Sequence, residues 1–146
     1  MNLNRRQALT ALGAAGLLAT SEVSAKPKTV VHGRIRQSVM GWCFKPMKAL
    51  TLAKHCKEIG LVGIEGISTK DYEAVKKLGL DISLVSSHGF KRGPISRANH
   101  QFCIKTLKER IDLAVEVGCP SVITFTGMRE KGISDQQGAK NCVDCW

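Results

Sequence analysis

Four side chains in this 146-residue sequence stand where chemistry could be done: Trp42, Glu65, His88 and Arg129. Trp42 offers a flat apolar ring that could wall the carbon face of a sugar; ordinary packing accounts for it equally well. Glu65 is a carboxylate inside the apolar run Val62–Ile67. A charge among apolar neighbours needs a partner, so Glu65 is a candidate for a substrate hydroxyl or a polar network; a salt bridge to a nearby Lys or Arg is the plainer account. His88 follows Ser86 and Ser87, and an imidazole there can bond a hydroxyl or move a proton; a structural loop histidine fits as well. Arg129 carries the planar fork that holds a carboxylate bidentately, against a solvated loop arginine. His32, His55 and His100 read as structural.

The six cysteines are Cys43, Cys56, Cys103, Cys119, Cys142 and Cys145. Their spacing is irregular, and Cys56, Cys103 and Cys142 fall in helical patterns, where a small apolar residue is the simpler account. Cys142-Val143-Asp144-Cys145 is a lone CxxC. A zinc site needs a second pair or histidines at ligand spacing, and a thiol-redox pair sits at a helix N-terminus. This one lies at a helix end, so a thiol-redox protein is a weaker alternative and no metal ligand is assigned.

Short apolar runs alternate with amphipathic stretches. The expected strands are Ile35–Trp42, Val62–Ile67, Leu80–Ser86 and Ser121–Thr126. Between them lie expected helices at Met47–Ile59, Lys70–Leu78 and Asn99–Val117. Ala49, Leu52, Ala53, Cys56 and Ile59 share one face of the first, and Ile104, Leu107, Ile111 and Ala114 one face of the third. Gly60, Gly79 and Gly118 stand where helices end. Ser134 and Gln137 form a capping-box pattern that opens a fourth helix. Strands alternating with helices predict βαβ units and a parallel sheet, an α/β class. Strands two to four are continuous apolar runs, as for strands buried on both faces. The turn after the first strand has one glycine, Gly41, and no phosphate-binding pattern, which disfavours nucleotides.

The N-terminus has a different character. Arg5-Arg6 precedes an apolar run, Ala8–Ala19, and Val23-Ser24-Ala25 supplies small residues for cleavage after Ala25. Residues 1–25 resemble a twin-arginine (Tat) export signal, with residues 26–33 a polar lead-in. The expected location is the periplasm or the outer side of a bacterial inner membrane. The run is too short for a membrane span. The formal charge of +10 is dispersed among acidic residues, with no basic tract or aromatic platform, so no nucleic-acid partner is expected.

Several motifs, taken in order, resemble a known family. They are Arg34–Val39 with Trp42-Cys43, Ile64-Glu65, Gly93-Pro94-Ile95-Ser96 with Asn99-His100, and Val122–Gly127 with Arg129, Gly138 and Asn141-Cys142-Val143. Together they are similar to the hydroxypyruvate isomerase-like branch of the xylose-isomerase-like TIM barrels. The resemblance implies a parallel (βα)4 half of such a barrel over residues 34–146. It further implies aldose–ketose isomerisation of a small sugar or hydroxy-keto acid, assisted by a divalent metal (Mg, Mn or Co) in the full-length family. The family's metal ligands and catalytic glutamates would fall beyond residue 146, so this chain alone is expected to bind no metal and to be an inactive fragment. The alternatives are a non-enzymatic exported carbohydrate-binding or interaction module and a small complete α/β domain. A half barrel leaves two strand edges unpaired, which a homodimer could close.

Overall fold

Leu52, Ala53 and Cys56 recur at the spacing of one helical face, and all three are buried. In the computed structural model, which describes residues 29 and 32–146, they lie on α1 (Ala49–Ile59). The segment expected to be an export signal and most of the lead-in lie outside the described residues. Around α1 the elements are β1 (Ser38–Met40), β2 (Gly63–Glu65), α2 (Tyr72–Lys77), β3 (Asp81–Ile82), β4 (Val85–Ser86), α3 (His100–Val117), β5 (Val122–Ile123) and α4 (Asp135–Cys145). Gly60 and Gly118 end α1 and α3 in the left-handed region, at φ 91° and 68°, which a Cβ would oppose. The Ser134 hydroxyl accepts the Gln137 amide at 3.2 Å and opens α4.

The class is α/β and every strand pair is parallel: β1 with β2, β2 with β3, and β4 with β5. The expected strand Leu80–Ser86 is split in two, for a reason visible in its hydrogen bonds. The amides of Asp81 and Ser83 donate toward β2, to Val62 and Ile64, at 2.8 and 3.3 Å. Those of Val85 and Ser87 donate toward β5, to Ser121 and Ile123, at 3.0 and 3.1 Å. Regular alternation would send all four to one neighbour. The chain therefore breaks step between Ser83 and Val85, as at a β-bulge. The same break lets Ile82 and Val85, an odd number of residues apart, both enter the core.

That core gathers Ile64, Ile82 and Val85 from the strands under Leu52, Ala53, Cys56, Tyr72, Val75 and Ala114 from the helices. The other face is different. Ser38, Asp81 and Ser86 are exposed, and Met40, Glu65 and Ser83 part-exposed. The strands are thus covered on one face, and the expectation of burial on both is corrected. Other expectations also differ, among them two bounds and one helix face. The first strand is only Ser38–Met40, because Gly41–Phe44 winds into a 3-10 turn. The second helix begins at Tyr72, after a 3-10 turn over Thr69–Asp71. On α3, Ala114 points inward while Ile104 and Ile111 are exposed, because the buried face is centred on Cys103 and Ala114. No helix among the described residues is long and apolar enough to cross a membrane.

Ile64 is fully buried at the centre of this arrangement. Ile64→Ala is expected to lower unfolding free energy by about 2–5 kcal/mol, read as a shift in urea midpoint with little change in slope.

Candidate functional site

Parallel strands put all their C-terminal ends on one rim, where loops lead away to helices. Glu65 closes β2 on that rim. It is part-buried, and its carboxylate accepts a hydrogen bond from the Ser83 hydroxyl of the neighbouring run at 3.1 Å. His88 follows β4. Its Nδ1 lies 2.8 Å from the Gly89 carbonyl and its Nε2 lies 3.0 Å from the Thr124 hydroxyl. A carbonyl only accepts, so Nδ1 carries the proton; in the neutral ring Nε2 then accepts from Thr124. The rings of Phe102 and Trp146 stand 6.4 Å from the imidazole, both tilted, and fix its attitude from α3 and from the end of α4. Beside it the Ser87 hydroxyl is buried without a partner.

Trp42 lies over the turn that follows Glu65: a Cβ on Gly66 would fall 2.8 Å from its Cδ1. The indole remains 59% exposed. It borders an open cleft of about 300 Å³ with Lys45, Met47, Ile67 and Ser68. Arg129 is engaged elsewhere. Its Nε and Nη2 donate to the two carboxylate oxygens of Asp135 at 2.9 and 2.7 Å. Asp135 sits in the first turn of α4, where a carboxylate also meets the positive end of the helix dipole. Trp42 and Glu65 thus share one turn, His88 stands on the β4–β5 part of the rim, and Arg129 is tied to α4.

A fourth group of residues, read in the sequence only as motifs of the resemblance or, for His100, as structural, forms an extensive hydrogen-bond network. The loop between β4 and α3 folds back over the end of β5. Gly93 is buried there, and a Cβ on it would sit 2.4 Å from the Thr126 carbonyl oxygen. The Ile95 amide donates to that same oxygen at 2.9 Å. Asn99 Nδ2 donates to the Gly93 carbonyl at 3.1 Å, and His100 Nε2 to the Pro94 carbonyl at 3.0 Å. From α4, buried Asn141 donates through Nδ2 to the Ile95 carbonyl at 2.8 Å. Its Oδ1 accepts from Arg97 Nε at 3.0 Å and from Gln137 Nε2 at 2.8 Å. Arg97 also pairs with Asp144. Gly138 lets α4 lie directly on Ile95, since a Cβ would stand 2.8 Å from its Cγ1. The polar types in Gly93–Ser96, Asn99-His100 and Asn141 were the available signal, but nothing in their spacing said that they meet.

The six cysteines are free thiols. Burial pushes Cys56 and Cys103 upward in pKa, and it also raises Cys142 and Cys145. Burial opposes the thiolate that exchange chemistry needs, which weighs against the thiol-redox alternative. The divalent ion that the resemblance implies finds no fit: Glu65 is bonded to Ser83, and among the described residues no three His, Cys, Asp or Glu side chains gather to hold a metal ion. Comparison with known proteins matches this chain to no family model, no curated protein and no solved structure.

The Asn141 clasp and the Arg129 pair should differ sharply in weight. Asn141→Ala leaves the part-buried Ile95 carbonyl without its donor and is expected to cost about 1–3 kcal/mol. The Arg129–Asp135 pair is 83% and 71% exposed, so Arg129→Ala is expected to cost less than about 1 kcal/mol. Urea denaturation of the two variants checks this ordering.

Proposed function

We propose that this chain is a (βα)4 half of a xylose-isomerase-like barrel whose strand rim binds a small sugar or hydroxy-keto acid without turning it over. One observation carries the architectural part. β1, β2 and β3 pair in chain order in a three-stranded sheet, and β4, two residues after β3 in the same run, pairs with β5 in a second, two-stranded sheet. A doubly wound domain reverses its order at a switch point; a barrel does not. The sequence motifs quoted above support the same reading.

On the rim, Glu65 supplies an acceptor for a ligand hydroxyl, with Ser83 orienting the carboxylate. His88 supplies a second acceptor when a ligand hydroxyl displaces Thr124 from Nε2. Trp42 supplies an apolar wall beside the first. These residues bind and orient. Among the described residues Glu65 and His88 are each bonded to a different hydroxyl and not to one another, which supports binding over proton transfer between them. The divided rim also favours the second reading, a binding module with no enzymatic role.

Calorimetric titration with hydroxypyruvate and small ketoses tests this. Binding is expected, weakened about tenfold or more by Glu65→Gln or His88→Ala, the loss of one part-buried hydrogen-bonding group. No turnover is expected with Mg²⁺, Mn²⁺ or Co²⁺ present. Absence of binding overturns the site, and metal-dependent turnover by this chain overturns the non-catalytic reading.

We also propose export through the twin-arginine route. Replacing Arg5 and Arg6 together by Lys is expected to hold the chain, uncut after Ala25, in the cytoplasm of a bacterial host. Fractionation and N-terminal sequencing decide it.

A further inference from the structure

Arg110 is part-buried on α3, and its Nε is buried with no hydrogen-bond partner. Residues three and four apart share a side of a helix, so the neighbours of Arg110 along α3 are Thr106, Leu107, Leu113 and Ala114. None of them is an acid. Glu109 and Asp112 stand one and two positions away, where side chains diverge. Among the described residues Arg110 joins no ion pair. A cation drawn out of water without a counterion is costly, so this guanidinium is poised to accept one.

Its neighbour on α2 is Tyr72, the only tyrosine of the chain. Burial raises the pKa of the phenol and the positive charge of Arg110 lowers it, so the guanidinium lies close enough to act on the hydroxyl. Tyr72 is only 4% exposed. It lines an open groove of about 500 Å³ between α2 and α3, whose walls come from consecutive units in the middle of the chain. Leu113 and Val117 make one wall apolar, and Thr69 adds a hydroxyl. The lysines of the groove are occupied: Lys76 Nζ donates to the Val117 carbonyl at 2.6 Å, and Lys77 pairs with Glu73. Glu116 also lines the groove. It lies six residues beyond Arg110, about 9 Å further along the helix axis. The groove is therefore positive toward Arg110, apolar along α3 and negative toward Glu116.

We propose that this groove binds a small organic carboxylate with an apolar body. The carboxylate accepts from the Arg110 guanidinium and the Tyr72 hydroxyl, and the body lies against Leu113 and Val117. An arginine fork holds a carboxylate through charge-assisted bonds, and an apolar groove of this size with few polar groups suits a small ligand. Glu116 repels a carboxylate at the far end and so sets the direction of the ligand. The site lies between helices, apart from the strand rim, and does not depend on the half-barrel reading.

Benzoate, benzamide and inorganic phosphate, each titrated into the full chain, test the proposal. With ring-labelled tyrosine the single tyrosine reports the groove directly in an NMR spectrum. Benzoate is expected to shift that signal saturably. Benzamide keeps the ring and loses the charge; phosphate keeps the charge and loses the apolar body. Each is expected to bind about tenfold or more weakly than benzoate. Arg110→Gln is expected to weaken benzoate by a similar factor with the circular dichroism spectrum unchanged. A signal that no benzoate concentration moves overturns the proposal. So does benzamide or phosphate binding as tightly as benzoate, and so does a benzoate shift that Arg110→Gln leaves intact. The three ligands are compared on the unaltered chain, so that comparison decides even where the variant fails to fold.

Discussion

Residues 81–87 hold both parts of the sheet. Their first amides bond to β2 and their last to β5, with a one-residue break between Ser83 and Val85. Without that break, Val85 would leave the core and its amide would turn back toward β2. The change of step keeps Ile82 and Val85 under the same helices while moving the hydrogen bonds across. Everything after α3 depends on it, since β5 meets the sheet through β4.

The end of β5 is then fixed a second time from above. Asn141, Asn99 and His100 each donate to a carbonyl of the Gly93–Ile95 loop, and that loop bonds in turn to Thr126. Buried carbonyls without partners are costly, and here side chains from two helices supply the donors that a further strand would otherwise give. The motif residues that look most distinctive in the sequence thus serve packing. The rim residues Glu65 and His88 sit in plainer sequence.

How far the sequence carries can be judged at particular positions. The helix ends at Gly60 and Gly118 and the Ser134 cap were legible because each is a local signal with one physical meaning. The parallel α/β class followed from the alternation of elements. The break at Ser83-Leu84 was not legible, because Leu80–Ser86 is extended throughout and only its neighbours reveal the change of step. The inner face of α3 was half legible: Ala114 was placed correctly, while Ile104 and Ile111 are apolar yet exposed, and hydrophobicity alone cannot say which side of a helix has company. At the site, the residue types of Trp42, Glu65, His88 and Arg129 were readable but their partners were not. Asp135 lies only six residues from Arg129, yet the pairing depends on how the intervening loop folds.

The tautomer of His88 sets a rule for whatever meets the rim. With the proton held on Nδ1 by Gly89, the outward nitrogen of the neutral ring offers a lone pair and nothing to give. Thr124 satisfies it with a hydroxyl, so a guest that takes that place must itself be a donor. If the rim binds as proposed, the position selects by hydrogen-bond polarity, taking an alcohol in preference to the bare oxygen of a carboxylate or phosphate. Only protonation of the ring reverses that preference, so the discrimination is written into a single loop carbonyl one residue away.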